Sequence, residues 1–346
     1  MYNMSEEIVL ITGATGHVGF RTLVLVLEAG YQVRAAVRSQ AKVEEILETK
    51  SIQALKPGSK LNFTIVPDLT IDGAYQDAIR DVTYVLHLAS PMPPASDELS
   101  DYGMTLIKPA IAGTVNILKA TALEPRIKRV VITSSAAALI EAKYLFEEDT
   151  PLGTVWNEKS RTAIPEGPFS SSFHAYHAGK IAALAAADEY ATDPKTKFDI
   201  VTILPSFVLG KNELVTRAPD LALGSNGPVM GVVLGTKSGI PLVSSTVHLD
   251  DVAFMHVKAL DPTIPAGTYV ANSEGYAGTL WQKAARIVAE AFPAAVAKGL
   301  LNPDGVQPSL STRLDASLSE QVFGFKFKRF DEQVKSVVEQ YLELLG

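Results

Sequence analysis

The segment Ile11–Phe20, ITGATGHVGF, constrains the fold of this chain more than any other. Gly13, Gly16 and Gly19 recur at three-residue spacing, between a strand expected at Glu7–Thr12 and a helix expected from about Gly16 to Ala29. In that context each glycine has its own task. Gly13 makes the tight turn, Gly16 lets the backbone approach a pyrophosphate, and Gly19 lets the helix pack closely on the sheet. An anion then rests on free N–H groups at the helix N-terminus, where the dipole favours negative charge. A glycine-rich turn with no ligand is the alternative; the strand before and the helix after favour the phosphate cradle.

The strand–helix rhythm continues through the first two thirds of the chain. Further strands are expected at Tyr31–Val37, Leu61–Val66, Thr83–Ala89, Arg129–Ser135 and Phe198–Pro205. Helices are expected at Ala41–Leu55, Asp72–Arg80, Tyr102–Ala122 and around His174–Tyr190. Continuous Val, Ile and Leu runs separated by helices indicate a parallel sheet covered on both faces, a doubly wound α/β Rossmann domain. At 346 residues there is room for a smaller C-terminal substrate-binding domain. Residues 1–205 are read as mainly dinucleotide-binding, with 140–172 inserted at the active site. Residues 206–346 are read as mainly substrate-binding, with 246–275 returning to the sheet and an amphipathic helix at Phe330–Leu345.

Composition excludes several classes. A net charge of −7 leaves no basic excess to neutralise phosphates, against a general nucleic-acid binder. The absence of cysteine removes disulfides, thiolate catalysis and Cys-ligated zinc. No basic, apolar and cleavable leader opens the chain, and no uncharged apolar run approaches a membrane span, so a cytoplasmic address is expected, with no membrane partner. The segment Gly231–Ser238, GVVLGTKS, resembles a P-loop, but Thr236 interrupts its ending and no strand–helix context surrounds it. No G-x-S-x-G is present to support a hydrolase.

Chemistry is concentrated in three places. At the end of the second strand, where an NAD site usually carries an acidic residue, stands Arg38, with Lys42 one helical turn on. An arginine there suits a 2′-phosphate, so NADP(H) is expected over NAD. The fifth strand ends in Ser134 and Ser135, at the edge where ligands of open α/β sheets bind. On the next helix Tyr176 and Lys180 stand four residues apart, on one face. A nearby ammonium stabilises phenolate and is expected to lower the tyrosine pKa. Asp68 and Leu69 follow the third strand, where an adenine ring could be held.

With TGATGHVG, VRAAVRSQAK, LHLASP, RVVITSSAAA, YHAGK, ILPSFVLG, VHLDDVA and FGFKF in order, nearly the whole chain resembles the extended short-chain dehydrogenases/reductases. Within them it is similar to the dihydroflavonol-reductase-like group that includes fungal carbonyl reductases. The resemblance implies Ser135 as the catalytic serine, with Ser134 as the runner-up, Tyr176 as proton donor and Lys180 as its activator. It implies NADP-phosphate contacts at Arg38 and Lys42, and a turn at Pro205 that meets the nicotinamide. Further cofactor contacts are expected from Gly13, Thr15, Gly16, His17, Val18 and Gly19 of the loop, and from Asp68 and Leu69. Leu88, Ala89, Ser90, Thr133, Tyr176, Lys180 and Val208 complete that set. Asn116 is a candidate for the family's active-site asparagine.

An apolar pocket is expected from Pro91, Met92 and Pro93 after the fourth strand, and from Ile140, Phe173 and Phe207 near the chemistry. His174 and His177 lack a third ligand at suitable spacing, so no metal is expected. His248 with Asp250 and Asp251 is read as structural. The expected activity is NADPH-dependent reduction of a hydrophobic or aromatic aldehyde or ketone by a monomer or homodimer. The alternatives are a nucleotide-sugar epimerase or dehydratase, and a non-catalytic NADP(H)-binding regulator.

Overall fold

The structure, a computed structural model, describes residues 7–92, 101–275 and 278–346. Its first elements are β1 (Ile8–Thr12), α1 (His17–Glu28), β2 (Gln32–Val37), α2 (Gln40–Leu47), α3 (Lys50–Leu55), β3 (Leu61–Ile65), β4 (Tyr84–His87), α4 (Lys108–Leu123) and β5 (Arg129–Thr133). Next come α5 (Ala142–Phe146), α6 (Ser172–Thr192), β6 (Asp199–Pro205), β7 (Phe207–Leu209), α7 (Gly227–Val233), β8 (Leu242–Val243), β9 (Thr246–His248) and α8 (Leu249–Lys258). The last are β10 (Gly267–Ala271), α9 (Lys283–Ala291), α10 (Pro293–Ala297), β11 (Ser309–Leu310), α11 (Ser317–Phe323) and α12 (Phe330–Leu345).

Seven strands form one sheet in the order β10-β6-β5-β4-β1-β2-β3, parallel from β6 through β3. The strand order reverses between β1 and β4, which pair directly, with Ile11 opposite Leu86. That reversal opens the crevice at the C-terminal ends of the strands where ligands of such sheets bind. Every residue of β4 is buried, as a strand covered on both faces requires. The core around it joins Leu10, Val85, Val130 and Ile200 of the sheet to Ile117 and Leu118 of α4 and to Tyr75 and Ile79.

The chain divides into two compact units. The first takes the described residues up to Leu139, then Arg161–Leu204 and Ala253–Tyr269; the second takes Ile140–Ser160, Pro205–Val252 and the described residues from Val270 onward. In the second, β7 pairs with β9 and β11 with β8, all parallel. Its core gathers Met230, Trp281, Val288, Phe330, Val334 and Val338. Helix α12 buries Phe330, Val334, Val337 and Val338 on one stripe, the spacing its sequence announced. Its start is fixed by Glu332, whose carboxylate accepts the Arg329 amide at 3.0 Å.

Two local expectations are corrected. The helix expected at Asp72–Arg80 is a run of turns: Gly73 sits at φ +79°, and the bonds Ala74–Ile71 and Gln76–Gly73 span only three residues. The helix expected at Ala41–Leu55 is broken in two, because Thr49 turns extended at ψ 145° and caps back to the Ile46 carbonyl at 2.7 Å. Gly103–Leu123 is by length and composition apolar enough to cross a membrane, but it is not an uncharged run, and the expectation that no uncharged run reaches that length stands. Only Lys108 and Lys119 interrupt it, half of it is buried, and α4 packs along α6 within the first unit.

Candidate active site

The turn after β1 is shaped by steric necessity. Gly13 lies at φ +76°, and a Cβ there would stand 2.6 Å from the Ala89 nitrogen. A Cβ on Gly19 would stand 2.0 Å from the Gly13 carbonyl oxygen, so that glycine is what lets α1 close onto the turn. Gly16 is exposed at the N-cap of α1, with no side chain capping the helix and no acidic residue in its first turn. The N–H groups that begin α1 are therefore left for an anion. Thr15, His17 and Val18 line the same turn, and none of them is fully buried.

The ends of β1 and β4 are tied together. Thr12 Oγ1 lies 2.8 Å from His87 Nδ1 and accepts the Ala89 amide at 3.2 Å, while the Leu88 amide donates to the Thr12 carbonyl at 3.1 Å. His87 is almost wholly buried, and burial with the nearby Lys180 charge holds its imidazole down at about 3, so it is neutral. Sequence reasoning missed this residue. The signal was a histidine closing an otherwise apolar strand, YVLH.

Helix α6 brings the chemistry to the same edge. Ser171 caps it, its Oγ accepting the His174 amide, and the small residues Ala175, Ala178 and Ala182 are buried along it. Lys180 is 6% exposed, donates to Ser90 Oγ at 3.0 Å, and lies 5.4 Å from the centre of the Tyr176 ring. Burial pushes the Lys180 ammonium down to about 8. Burial also pushes the Tyr176 phenol up to about 12, against a smaller opposite pull from its hydrogen bond with Ser135. This corrects the expectation that Lys180 would lower the phenol: the ammonium lies over the ring, and burial sets the direction of the shift.

The two serines point to different surroundings. Ser135 is the partner of Tyr176 and also accepts the Ala137 amide at 3.2 Å. Ser134 has its Oγ buried without a hydrogen-bond partner, while its amide donates to the Ile203 carbonyl at 2.8 Å. Thr133 Oγ1 is 2.6 Å from Nε2 of the fully buried His256.

Arg38 is exposed just past β2 and makes no hydrogen bond or ion pair among the described residues. Lys42, by contrast, is engaged by Glu45. Asp68 accepts both the amide and the hydroxyl of Thr70, at 2.8 and 2.6 Å, which lowers its carboxyl below the usual value. The Asn116 side chain turns to the loop after β3. Its amide donates to the Leu69 and Ile71 carbonyls, both at 3.1 Å, and so holds the loop that carries Asp68 and Leu69. Leu69 in turn needs Gly113, where a Cβ would meet its Cδ1 at 2.5 Å.

The expected pocket residues divide. Pro91 is half-buried, while Met92 and Phe173 are exposed at 66% and 58%, all in the first unit; Pro93 lies outside the described residues. Pro205, Val208, Phe207 and Ile140 belong to the second unit. There Phe207 stacks edge-on against Trp281 at 5.5 Å, and Ile140 is fully buried, a packing residue rather than an open wall. His174 is engaged by Ser170 and Ser171, and His177 is buried. His248 Nδ1 accepts the Asp250 amide, while Asp250 and Asp251 hold Lys328, which ties VHLDD to FGFKF within the second unit. A groove of about 380 Å³ runs along Ile181, Leu184, Ala185 and Asp188 of α6, but Ser135, Tyr176 and Lys180 do not line it.

A doubly wound sheet with a glycine turn at its switch point and a Ser–Tyr–Lys set at the same edge defines a Rossmann-type oxidoreductase class. Residues 9–269 match the family described as NAD dependent epimerase/dehydratase, and the chain belongs to that family. It is similar to the ketoreductase CTB6 of Cercospora nicotianae, 38% identical over 99% of this chain and 96% of that protein. It is also 32% identical to a dihydroflavonol 4-reductase of Zea mays, over 77% of this chain and 70% of that one. Among solved structures, the yeast methylglyoxal/isovaleraldehyde reductase Gre2 complexed with NADPH shares 27% identity and a TM-score of 0.81, covering 98% of this chain and 99% of its own.

Proposed function

We propose that the protein is an NADPH-dependent reductase of aldehydes or ketones. The observation that carries this reading is the trio at one sheet edge: Ser135 hydrogen-bonded to Tyr176, with Lys180 buried beside them. A reduced nicotinamide, when bound, supplies hydride to the carbonyl carbon. Ser135 donates a hydrogen bond to the carbonyl oxygen as negative charge develops on it. Tyr176 donates its proton to that oxygen, which leaves an alcohol and a phenolate that solvent reprotonates. A phenol held at about 12 is fully protonated at neutral pH, the form a proton donor to an alkoxide must have. Lys180 holds a positive charge close to the phenolate as it forms.

The phosphate preference rests on Arg38. It is exposed, free of any carboxylate among the described residues, and set where a 2′-phosphate would lie. The relatives named as ketoreductase and as methylglyoxal/isovaleraldehyde reductase support the substrate class. Exposed Met92 and Phe173 favour a hydrophobic or aromatic carbonyl compound. The test is oxidation of NADPH, followed by its absorbance, against a panel of aromatic and aliphatic ketones and aldehydes. Turnover with NADPH and little with NADH is expected. Tight NAD retention with turnover of a nucleotide sugar would replace this reading with an epimerase or dehydratase. Cofactor binding with no turnover would leave a regulator.

A further inference from the structure

Helix α2 begins just past Arg38, and its charges run against the order a helix prefers. Acids are favoured in the first turn and cations in the last. Here the first turn carries Lys42 and no acid, while Glu44, Glu45 and Glu48 follow toward the C-terminal end. Ser39 stands extended at the N-cap, and its side chain does not cap the helix. The amides that begin α2 are left for an anion, beside Arg38, which is exposed and unpaired among the described residues. Lys42 is the exception at this cationic end. Its ammonium donates to the Glu45 carboxylate three residues on, with the two side chains 38% and 34% exposed.

We infer that Glu45 sets how strongly this chain prefers a 2′-phosphate, by competing with that phosphate for Lys42. The inference rests on the NADPH reading and adds to it a specificity-determining residue outside the contact set. A helical side chain leans toward the helix N-terminus. Released, Lys42 reaches over the first turn, toward Ser39 and Arg38. Paired with a residue three positions later, it is drawn back along the helix. A 2′-phosphate beside Arg38 then gains the lysine only by parting it from Glu45. Arg38 has no carboxylate partner among the described residues, so it carries the larger share of the preference. An ion pair as exposed as Lys42–Glu45 is worth roughly two- to fivefold in an equilibrium constant, so Glu45 moderates the preference without abolishing it. The oxidised cofactor carries the same phosphate and is held more loosely to the same degree. A ribose with a free 2′-hydroxyl offers Lys42 no charge, so binding of NADH is indifferent to Glu45. Glu44 is exposed and does not reach the lysine, which separates the pair from the general charge of the helix.

The test is a binding titration of the full chain, read by the fluorescence of the reduced nicotinamide, so it needs no substrate. Glu45→Gln is expected to tighten NADPH by roughly fivefold and to leave NADH unchanged. Glu44→Gln removes the same charge one residue away and should change NADPH binding less than twofold. Lys42→Met should weaken NADPH, and Glu45→Gln added to it should bring back less than a twofold gain, because the competition has lost its object. An unchanged or weaker NADPH dissociation constant in Glu45→Gln overturns the inference. A gain as large in the Lys42→Met background also overturns it, since the carboxylate would then act as a distant charge. So does weaker NADH binding in Glu45→Gln, which would make Glu45 a ribose ligand. Arg38→Glu tests the reading underneath. If it binds NADPH as the wild type does, no 2′-phosphate lies at the end of β2, and the reading and the inference fall together. If it weakens NADPH while Glu45→Gln changes nothing, the inference alone falls.

Discussion

Lys180 and Lys328 carry the same ammonium group into opposite surroundings. Lys180, in the first unit, is 6% exposed and donates to a neutral hydroxyl, Ser90. Lys328, in the second, is half-exposed, reaches Asp250 Oδ2 at 3.0 Å, and donates its amide to Asp251 Oδ2 at 2.7 Å. Burial pushes Lys180 down to about 8. Where a charge only has to hold two segments together, opposite charges pair it and the fold gains. Where it has to respond to a developing phenolate, it is left without a carboxylate, and the fold bears the desolvation. Asp251 shows that the structural cluster is not free of cost, for burial raises it to about 6 despite its bond to Lys328.

The largest effect that follows is on turnover. Tyr176→Phe removes the proton donor and keeps the ring, so carbonyl reduction is expected to drop by about 10³-fold. The thermal midpoint should stay close to wild type, since the phenol oxygen is not part of the core. Full activity in this variant would remove the distinction drawn between the two lysines. Next comes the cofactor end of the same unit. Arg38→Glu is expected to raise the NADPH KM by roughly 10²-fold, the worth of one or two hydrogen bonds to a charged group, and to leave NADH use intact or improved. Titration of both cofactors reads this directly. In the second unit the effect should fall on stability. Asp251→Ala leaves the Lys328 amide without its acceptor, at a cost of about 2 kcal/mol in urea unfolding, with kcat little changed.

How much of this was legible in the sequence follows from what each feature depends on. The glycine turn could be read because most of its reasons are local: Gly13 sits at φ +76°, and a Cβ on Gly19 would clash with the Gly13 backbone a few residues back, whereas the close approach of Gly13 to Ala89 depends on β4 lying beside β1. The Tyr176–Lys180 pair follows from helical spacing, and α12 from its apolar stripe. What escaped depends on which strands become neighbours. Thr12 meets His87 only because β4 lies beside β1, and Lys180 meets Ser90 only because α6 brings it to the segment that follows β4. Asn116 looked like an active-site residue by position, but its direction is set by the Leu69–Ile71 loop, which no periodicity announces. The sign of the Tyr176 shift was misjudged for a related reason: spacing places a charge nearby, but only the packed structure sets the burial that opposes it.

The last expected effect is a slope with pH rather than a loss, and its sign differs between the buried acid and the buried base. Asp251 is held at about 6 in the folded chain, against an ordinary 3.8. Between those values the folded state binds a proton that the unfolded state has lost, so stability falls as pH rises from about 4 to 6. Lys180 is held at about 8 against 10.5, so between those values the unfolded state binds the extra proton and stability rises with pH. Tyr176, raised from 10.0 to about 12, reverses that rise above pH 10. Each slope is at most about 1.4 kcal/mol per pH unit, the value of one proton. Urea unfolding across pH, taken as wild type minus variant, isolates them. Asp251→Asn should remove a falling limb on the acid side, and Lys180→Met a rising limb on the alkaline side. Both limbs have one cause, burial that disfavours the charged form, and they differ in sign because one group is an acid and the other a base; a falling limb at Lys180 would mean that a partner holds its charge in the folded chain, and the contrast between the unpaired and the paired ammonium would be lost.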